Sequence, residues 1–199
     1  MNAESFKKAI RSISALMAEN KDYLNELDAQ NGDGDLGLSM NAGFSAIDAF
    51  LRDCDETDPG KLLMQCGRVF NESAPSTLGT IIAFGMMGMA GALKGKTEVS
   101  AEELAGAMDA GISRIMDKTG SKPGEKTVLD ALCPAVEALK NDKSFAAAYD
   151  AAVKGSESTK EMRAVHGRAA YYGDKSIGIL DAGSVAGKII FEGLCRALN

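Results

Sequence analysis

Three aspartates, Asp28, Asp33 and Asp35, stand in the stretch LDAQNGDGDLGLS, interleaved with Gly32, Gly34 and Gly37. Carboxylates this close repel one another, and a divalent cation is the simplest remedy. An all-oxygen ligand set points to Mg2+, which completes its octahedron with water or phosphate oxygens. A helix opening near Leu38 would add free N–H groups and a positive dipole end at the same spot. The segment then has the parts of a diphosphate or triphosphate site. The other reading is a turn whose Asp and Gly residues only break a helix, and the three acids alone do not decide between the two.

Other motifs in the chain fail on context. Gly32, Gly34 and Gly37 spell G-x-G-x-x-G, but a dinucleotide fingerprint needs a strand before it and a βαβ unit around it, and neither pattern is present. Read as an EF-hand, the loop would place Leu36 where a Gly is needed and Ala42 where a bidentate Glu belongs. The stretch AGALKGKT, residues 90–97, resembles a relaxed P-loop but follows a helical run rather than a buried strand, so a helix-ending turn is expected there.

The chain has 199 residues, enough for one substantial core, and no linker-like segment, so one domain over 1–199 is expected. A net charge of −6 and a pI near 4.9 argue against nucleic acid or an anionic membrane as partner. The four cysteines lack C-x-x-C spacing, and the single His166 completes no zinc set with them, which suits reduced thiols in a cytoplasm. The amino-terminal stretch lacks the apolar core of a signal peptide. The uncharged run 73–93 is long enough to cross a bilayer, but four glycines interrupt it and no Trp or Tyr flanks it, so a buried central helix is expected.

The elements that must position the aspartates are helical. Phe6, Ile10, Ile13 and Met17 form one helix face; Met40, Phe44, Ile47 and Leu51 form another, and Leu62, Cys66 and Val69 a shorter one. Ser100 with Glu103 makes a capping box before Leu104, Met108, Ile112 and Ile115. Thr127 with Asp130 opens TVLDALCPAVEAL, which Pro134 should bend or break. SFAAAYDAAV, the stretch around Thr159 to Val165, and SVAGKIIFEGLCRAL are helical by propensity. Seven or eight helices without a period-two strand make the fold class all-α. Residues 28–38 and 166–184 are expected as irregular loops, the places where function tends to sit. Met86, Met87 and Met89 read as core filling.

Three segments carry a family resemblance in matching order. LDAQNGDGDLGLSMNAGFSAI is similar to the metal-binding loop of the nucleotide-binding L subunit of bacterial dihydroxyacetone kinases. EELAGAMDAGISRIMDKTGSKPGEKTVLDALCPAVEAL resembles that family's G-D-K-T-M-x-D stretch, and HGRAAYYGDKSIGILDAGS its G-R-A-S-Y-L-G-E-R-S-I-G-x-x-D-P-G segment. The resemblance implies an up-and-down barrel of about eight antiparallel helices, with ADP or ATP and two Mg2+ ions in the loops at one end. Asp28, Asp33 and Asp35 would be metal ligands, and Leu36, Gly37, Leu38 and Ser39 would face the phosphates. Thr119 and Val128 would line the base side, while Arg168, Asp181, Ala182 and Gly183 would close over the nucleotide. Arg168 would neutralise the migrating phosphoryl group.

In the family a separate K subunit or domain holds the ketose. Some members keep ADP as a resident cofactor recharged by a phosphohistidine protein of the sugar phosphotransferase system, and others use ATP. The resemblance leaves dimerisation open. Three departures stand out. Leu36 and Ser39 replace the family's His and Asn, DAGS replaces D-P-G, and ESAPSTLG replaces a G-G-A-S-G segment, where Ser73, Ala74, Ser76 and Thr77 would supply substitute contacts. These changes keep a second function in view, a nucleotide-binding regulatory paralogue without complete catalysis. His166 has no matching role in the family and reads as structural rather than as a phosphocarrier.

Overall fold

Most of the long helices begin where a side chain satisfies their first N–H groups. Asn2 and Ser100 make full capping boxes, and Asp58, Ser76, Ser144 and Asp181 accept from the first turns of their helices. The computed structural model describes residues 1–199. It contains α1 (Ala3–Glu19), α2 (Lys21–Asp28), α3 (Leu36–Arg52), α4 (Pro59–Ser73), α5 (Thr77–Leu93), α6 (Ala101–Thr119), α7 (Leu129–Asp142), α8 (Phe145–Ser158) and α9 (Ala182–Leu198). Two 3-10 segments, Thr159–Glu161 and Arg168–Ser176, lie between α8 and α9, and there is no strand.

Eight of the helices close a ring. α1 packs on α3, α3 on α4, and so on in order to α9, which returns to α1. Because the chain reverses between successive members of the ring, neighbours run antiparallel, and the expected barrel of about eight helices is what forms. The ninth helix, α2, arises because the α1 pattern ends at Asn20; it packs outside the ring on α3 and α9. A cluster of 41 buried residues fills the interior.

The uncharged run supplies α5, and no helix is long and apolar enough to cross a membrane. Its glycines permit close packing: a methyl on Gly88 would come within 2.8 Å of Gly111 on α6. Met86 is buried and Met89 packs against the core, as expected of filler residues. α7 runs through Pro134 without a break, and the Asp130 carbonyl that Pro134 cannot bond lies against Gly155 of α8.

Three local expectations are corrected. Residues 159–165 are not a helix beyond the single turn Thr159–Glu161. The Thr159 hydroxyl donates to the Ser156 carbonyl at 2.6 Å and the Thr159 carbonyl accepts from Lys126, so side chains have taken acceptors that a continuing helix needs. The 166–184 segment, expected as irregular, contains a 3-10 segment kinked at Gly173, and α3 begins at Leu36 rather than near Leu38.

The up-and-down order puts five connections at one end of the ring: the α1–α2 corner, residues 29–35, residues 74–76, residues 120–128 and residues 159–181. Every candidate residue from the sequence falls in these connections or in the helix ends beside them.

Candidate metal and nucleotide site

Asp28 ends α2, and its Oδ2 accepts from the N–H groups of Gly34 at 2.8 Å and Asp35 at 3.2 Å. These bonds fold the loop back over the aspartate, and Gly34 makes the reversal at φ +78, a left-handed conformation that glycine adopts without strain. One carboxylate oxygen from each of Asp28, Asp33 and Asp35 then lies within 4.8 Å of the others.

Asp35 stands at the N-cap of α3 but makes no cap bond, so its carboxylate stays with the cluster. Asn25 of α2 takes over part of the capping, its Oδ1 accepting from Leu38 N–H at 3.2 Å. Ser39 N–H is used within the helix, leaving those of Leu36 and Gly37 free to meet an anion. Gly37 is needed for closeness rather than conformation, since a methyl there would overlap the Lys21 carbonyl oxygen. The Leu38 side chain is exposed at the same end.

The cluster is electrostatically costly. Desolvation and then the charges of Asp33 and Asp28 push the Asp35 carboxyl above the usual carboxylate range, and Arg168 pulls it down. Arg168 Nη2 pairs with Asp33 Oδ2 at 2.7 Å, which brings the start of the second 3-10 segment onto the aspartate loop.

The remaining candidates take different positions. Ser73 ends α4, Ala74 is fully buried, Ser76 caps α5 by accepting from Gly79 N–H at 3.0 Å, and Thr77 opens that helix exposed. The Ser76 hydroxyl is thus already used in part, and Ala74 can offer only backbone. The Thr119 hydroxyl donates to the Ile115 carbonyl at 2.8 Å and meets Ser121 Oγ at 2.6 Å. Val128 is buried against α9, so its side chain lies beneath the end surface rather than on it. Asp181 caps α9 through Ser184 N–H at 2.6 Å, and Ala182 beside it is buried. A methyl on Gly183 would touch Asp181 and approach Val128 N and Leu78, so the starts of α5, α7 and α9 converge there. Burial, with Asp130 and Asp28 nearby, pushes the Asp181 carboxyl up to about 7, against the pull of Ser184 N–H and Lys126.

Lys126 escaped the sequence reading, and Asp130 was read there only as part of a helix start. Lys126 is buried with φ +61, a conformation costing a side-chain-bearing residue about 1–2 kcal/mol. Asp130, also buried, accepts from Gly124 and Thr127 N–H and so holds the turn that carries Lys126. The G-E-K-T-V-L-D string contained both, but only burial distinguishes them from surface charges. His166 pairs with Glu125 at 2.6 Å, tying residues 120–128 to the α8–α9 excursion, a structural contact in keeping with its expected role.

The donors suit a hard cation. Three carboxylates supply only oxygen, and the buried Asn31 side chain between them in sequence has an Oδ1 with no hydrogen-bond partner. With an adjacent helix start and an arginine, the arrangement can hold a Mg2+-bound polyphosphate.

Comparisons with known proteins show the family and the fold. Residues 30–196 match the family model described as the DAK2 domain. The chain is 30% identical over 211 residues to PEP-dependent dihydroxyacetone kinase 2, ADP-binding subunit DhaL, of Listeria innocua, across 100% of this chain and 98% of that protein. It is 29% identical over 190 residues to the Escherichia coli PEP-dependent dihydroxyacetone kinase, ADP-binding subunit DhaL, covering 92% of this chain and 90% of that one. The crystal structure of the C. freundii dihydroxyacetone kinase in complex with AMP-PNP and Mg2+ has the same fold, with a TM-score of 0.79 at 23% identity over 96% of this chain and 33% of that chain. From the aspartate loop to the last turns of α9, the chain belongs to the DAK2 domain family.

Proposed function

We propose that the 199 residues form one nucleotide-binding domain. It acts in the cytoplasm as the phosphoryl-transfer subunit of a kinase for dihydroxyacetone or a related small ketose, which a separate K-type subunit holds. The observation that carries this reading is the convergence of Asp28, Asp33 and Asp35 with Arg168 at the start of α3. The names of the relatives support it: two full-length relatives are ADP-binding subunits of dihydroxyacetone kinases, and the C. freundii structure contains AMP-PNP and Mg2+. Both subunits are named PEP-dependent, which favours resident ADP recharged by a phosphohistidine protein over exchange of ATP.

In this reading Asp28, Asp33 and Asp35 hold two Mg2+ ions, and the Leu36 and Gly37 N–H groups receive phosphate oxygens beside Leu38 and Ser39. Bound Mg2+ would spread the negative charge of the phosphates during transfer. Arg168, already paired with an acid of the cluster, is the group that neutralises the phosphoryl group, and Asp181 to Gly183 close the opposite wall with Thr119. Ser73 to Thr77 contribute backbone and hydroxyl contacts, and Val128 packs under the base. Transfer to a ketose on another subunit requires this end to dock. All of the large exposed hydrophobic side chains, Tyr23, Leu38, Val165, Tyr171, Tyr172 and Ile177, lie at this end.

The test is calorimetric titration of nucleotide-stripped protein with ADP and with ATP, each with and without Mg2+. Tight, Mg2+-dependent binding of ADP is expected. Binding of neither nucleotide would overturn the reading.

A further inference from the structure

Lys126 is the most buried ionisable amine in the molecule and has no place in the site just described. Its Nζ donates to the carbonyl oxygens of Thr159 and Ile179, each at 2.5 Å. Those carbonyls stand at the two ends of the excursion that joins α8 to α9 and carries Arg168. The same neck is closed by Gly178 N–H on the Lys160 carbonyl at 2.7 Å, and within it Ala164 N–H donates to Ser176 Oγ at 2.9 Å. Asp181 N–H reaches Thr159 Oγ1 at 3.1 Å. An ammonium buried at the neck of a loop, on a left-handed backbone, is held there by the surrounding structure; strain of this kind gathers where geometry is functional. Burial lowers the Lys126 pKa, and the charges of Asp181 and Asp130 oppose that.

We infer that Lys126 is a positioning residue: by pinning both ends of the α8–α9 excursion it sets where the Arg168 guanidinium stands over the aspartate loop. Removing the ammonium leaves the Ile179 carbonyl without its donor and the Thr159 carbonyl with only Met162 N–H, and frees the neck to widen. The Arg168–Asp33 pair is too exposed to hold the excursion alone. The consequence for nucleotide affinity rests on the function proposed above; the clamp itself does not.

The experiment compares the whole chain with K126M, K126Q, R168A and the K126M/R168A double variant. Hydrogen exchange is read without nucleotide, where amides 160–178 of K126M should exchange about tenfold faster while α5 and α6 stay protected. K126Q, which keeps a neutral NH2 donor on a shorter side chain, is the gentler variant and should fall between. Wild-type exchange in 160–178 in both Lys126 variants would overturn the inference. Calorimetry with Mg2+ and ADP then separates positioning from general loosening: K126M should weaken binding in the wild-type background but cost less than about twofold beside R168A. Equal losses in both backgrounds would mean Lys126 acts on overall stability, not through Arg168. If wild-type protein binds no ADP, the nucleotide reading fails while the exchange result still judges the clamp.

Discussion

Arg168 and Asp33 are joined at 2.7 Å across the open end of the helical ring. The pair draws a guanidinium from the α8–α9 excursion into a cluster of three carboxylates made by the α2–α3 loop. With side chains 67% and 40% exposed, it adds at most about 1 kcal/mol to stability. Its consequence is electrostatic: positive charge stands where negative charge has been concentrated.

Asp33→Asn tests that arrangement. Asp33 is exposed and has Arg168 as its ion-pair partner, so the fold should survive with melting nearly unchanged. Losing a direct ligand should weaken Mg2+-dependent ADP binding at least about 100-fold, since even groups one shell further out cost about 10- to 100-fold. Calorimetry checks it, and unchanged affinity would remove the metal assignment.

Two glycine substitutions should have opposite signs. Gly37→Ala drives a methyl into the Lys21 carbonyl and should cost about 1–3 kcal/mol while displacing α2 from α3. Gly91→Ala meets nothing within 4 Å near the end of α5 and should stabilise by about 0.5–1 kcal/mol. Urea unfolding of both variants reads the difference.

Asp181 makes stability depend on pH. Its folded value of about 7 lies above the ordinary 3.8, so folding favours the protonated form. That contribution is complete below about pH 4, is lost as the pH rises to about 7, and is constant beyond. The loss should be roughly 2 kcal/mol, about half of the full conversion, because the residue is only half-buried. Asp181→Asn, which keeps an acceptor for Ser184 N–H, should flatten the decline between pH 5 and 8 in urea unfolding with EDTA present. A variant with the wild-type slope would show that another group is responsible.

Tyr171 is 91% exposed on the excursion, so replacing it cannot harm the core. Tyr171→Ser should leave Mg2+-ADP binding intact and weaken association with a K-type subunit by about 30-fold, as loss of an aromatic anchor does. Surface plasmon resonance against that subunit measures it; equal affinity would move the docking surface elsewhere.

Much of the helical framework was legible locally. The four-three spacing of Phe6, Ile10, Ile13 and Met17 and the Ser100–Glu103 capping box act within one or two turns, so they appear in the structure where the residue order places them. Thr159 to Val165 misled because helix propensity there competes with a hydroxyl and a distant lysine that take its carbonyls.

The sequence by itself determined the helix class, the Ser100–Glu103 cap, the triplet of aspartates and the family resemblance, because each depends on neighbours in the chain. Only the tertiary structure decided that Val128 and Ala74 are buried, that Leu38 N–H is already capped by Asn25, that Lys126 lies inside, and that Arg168 reaches Asp33. Those facts depend on closure of the ring, in which helices distant in sequence share one end, and no local pattern of residues encodes a distance across it.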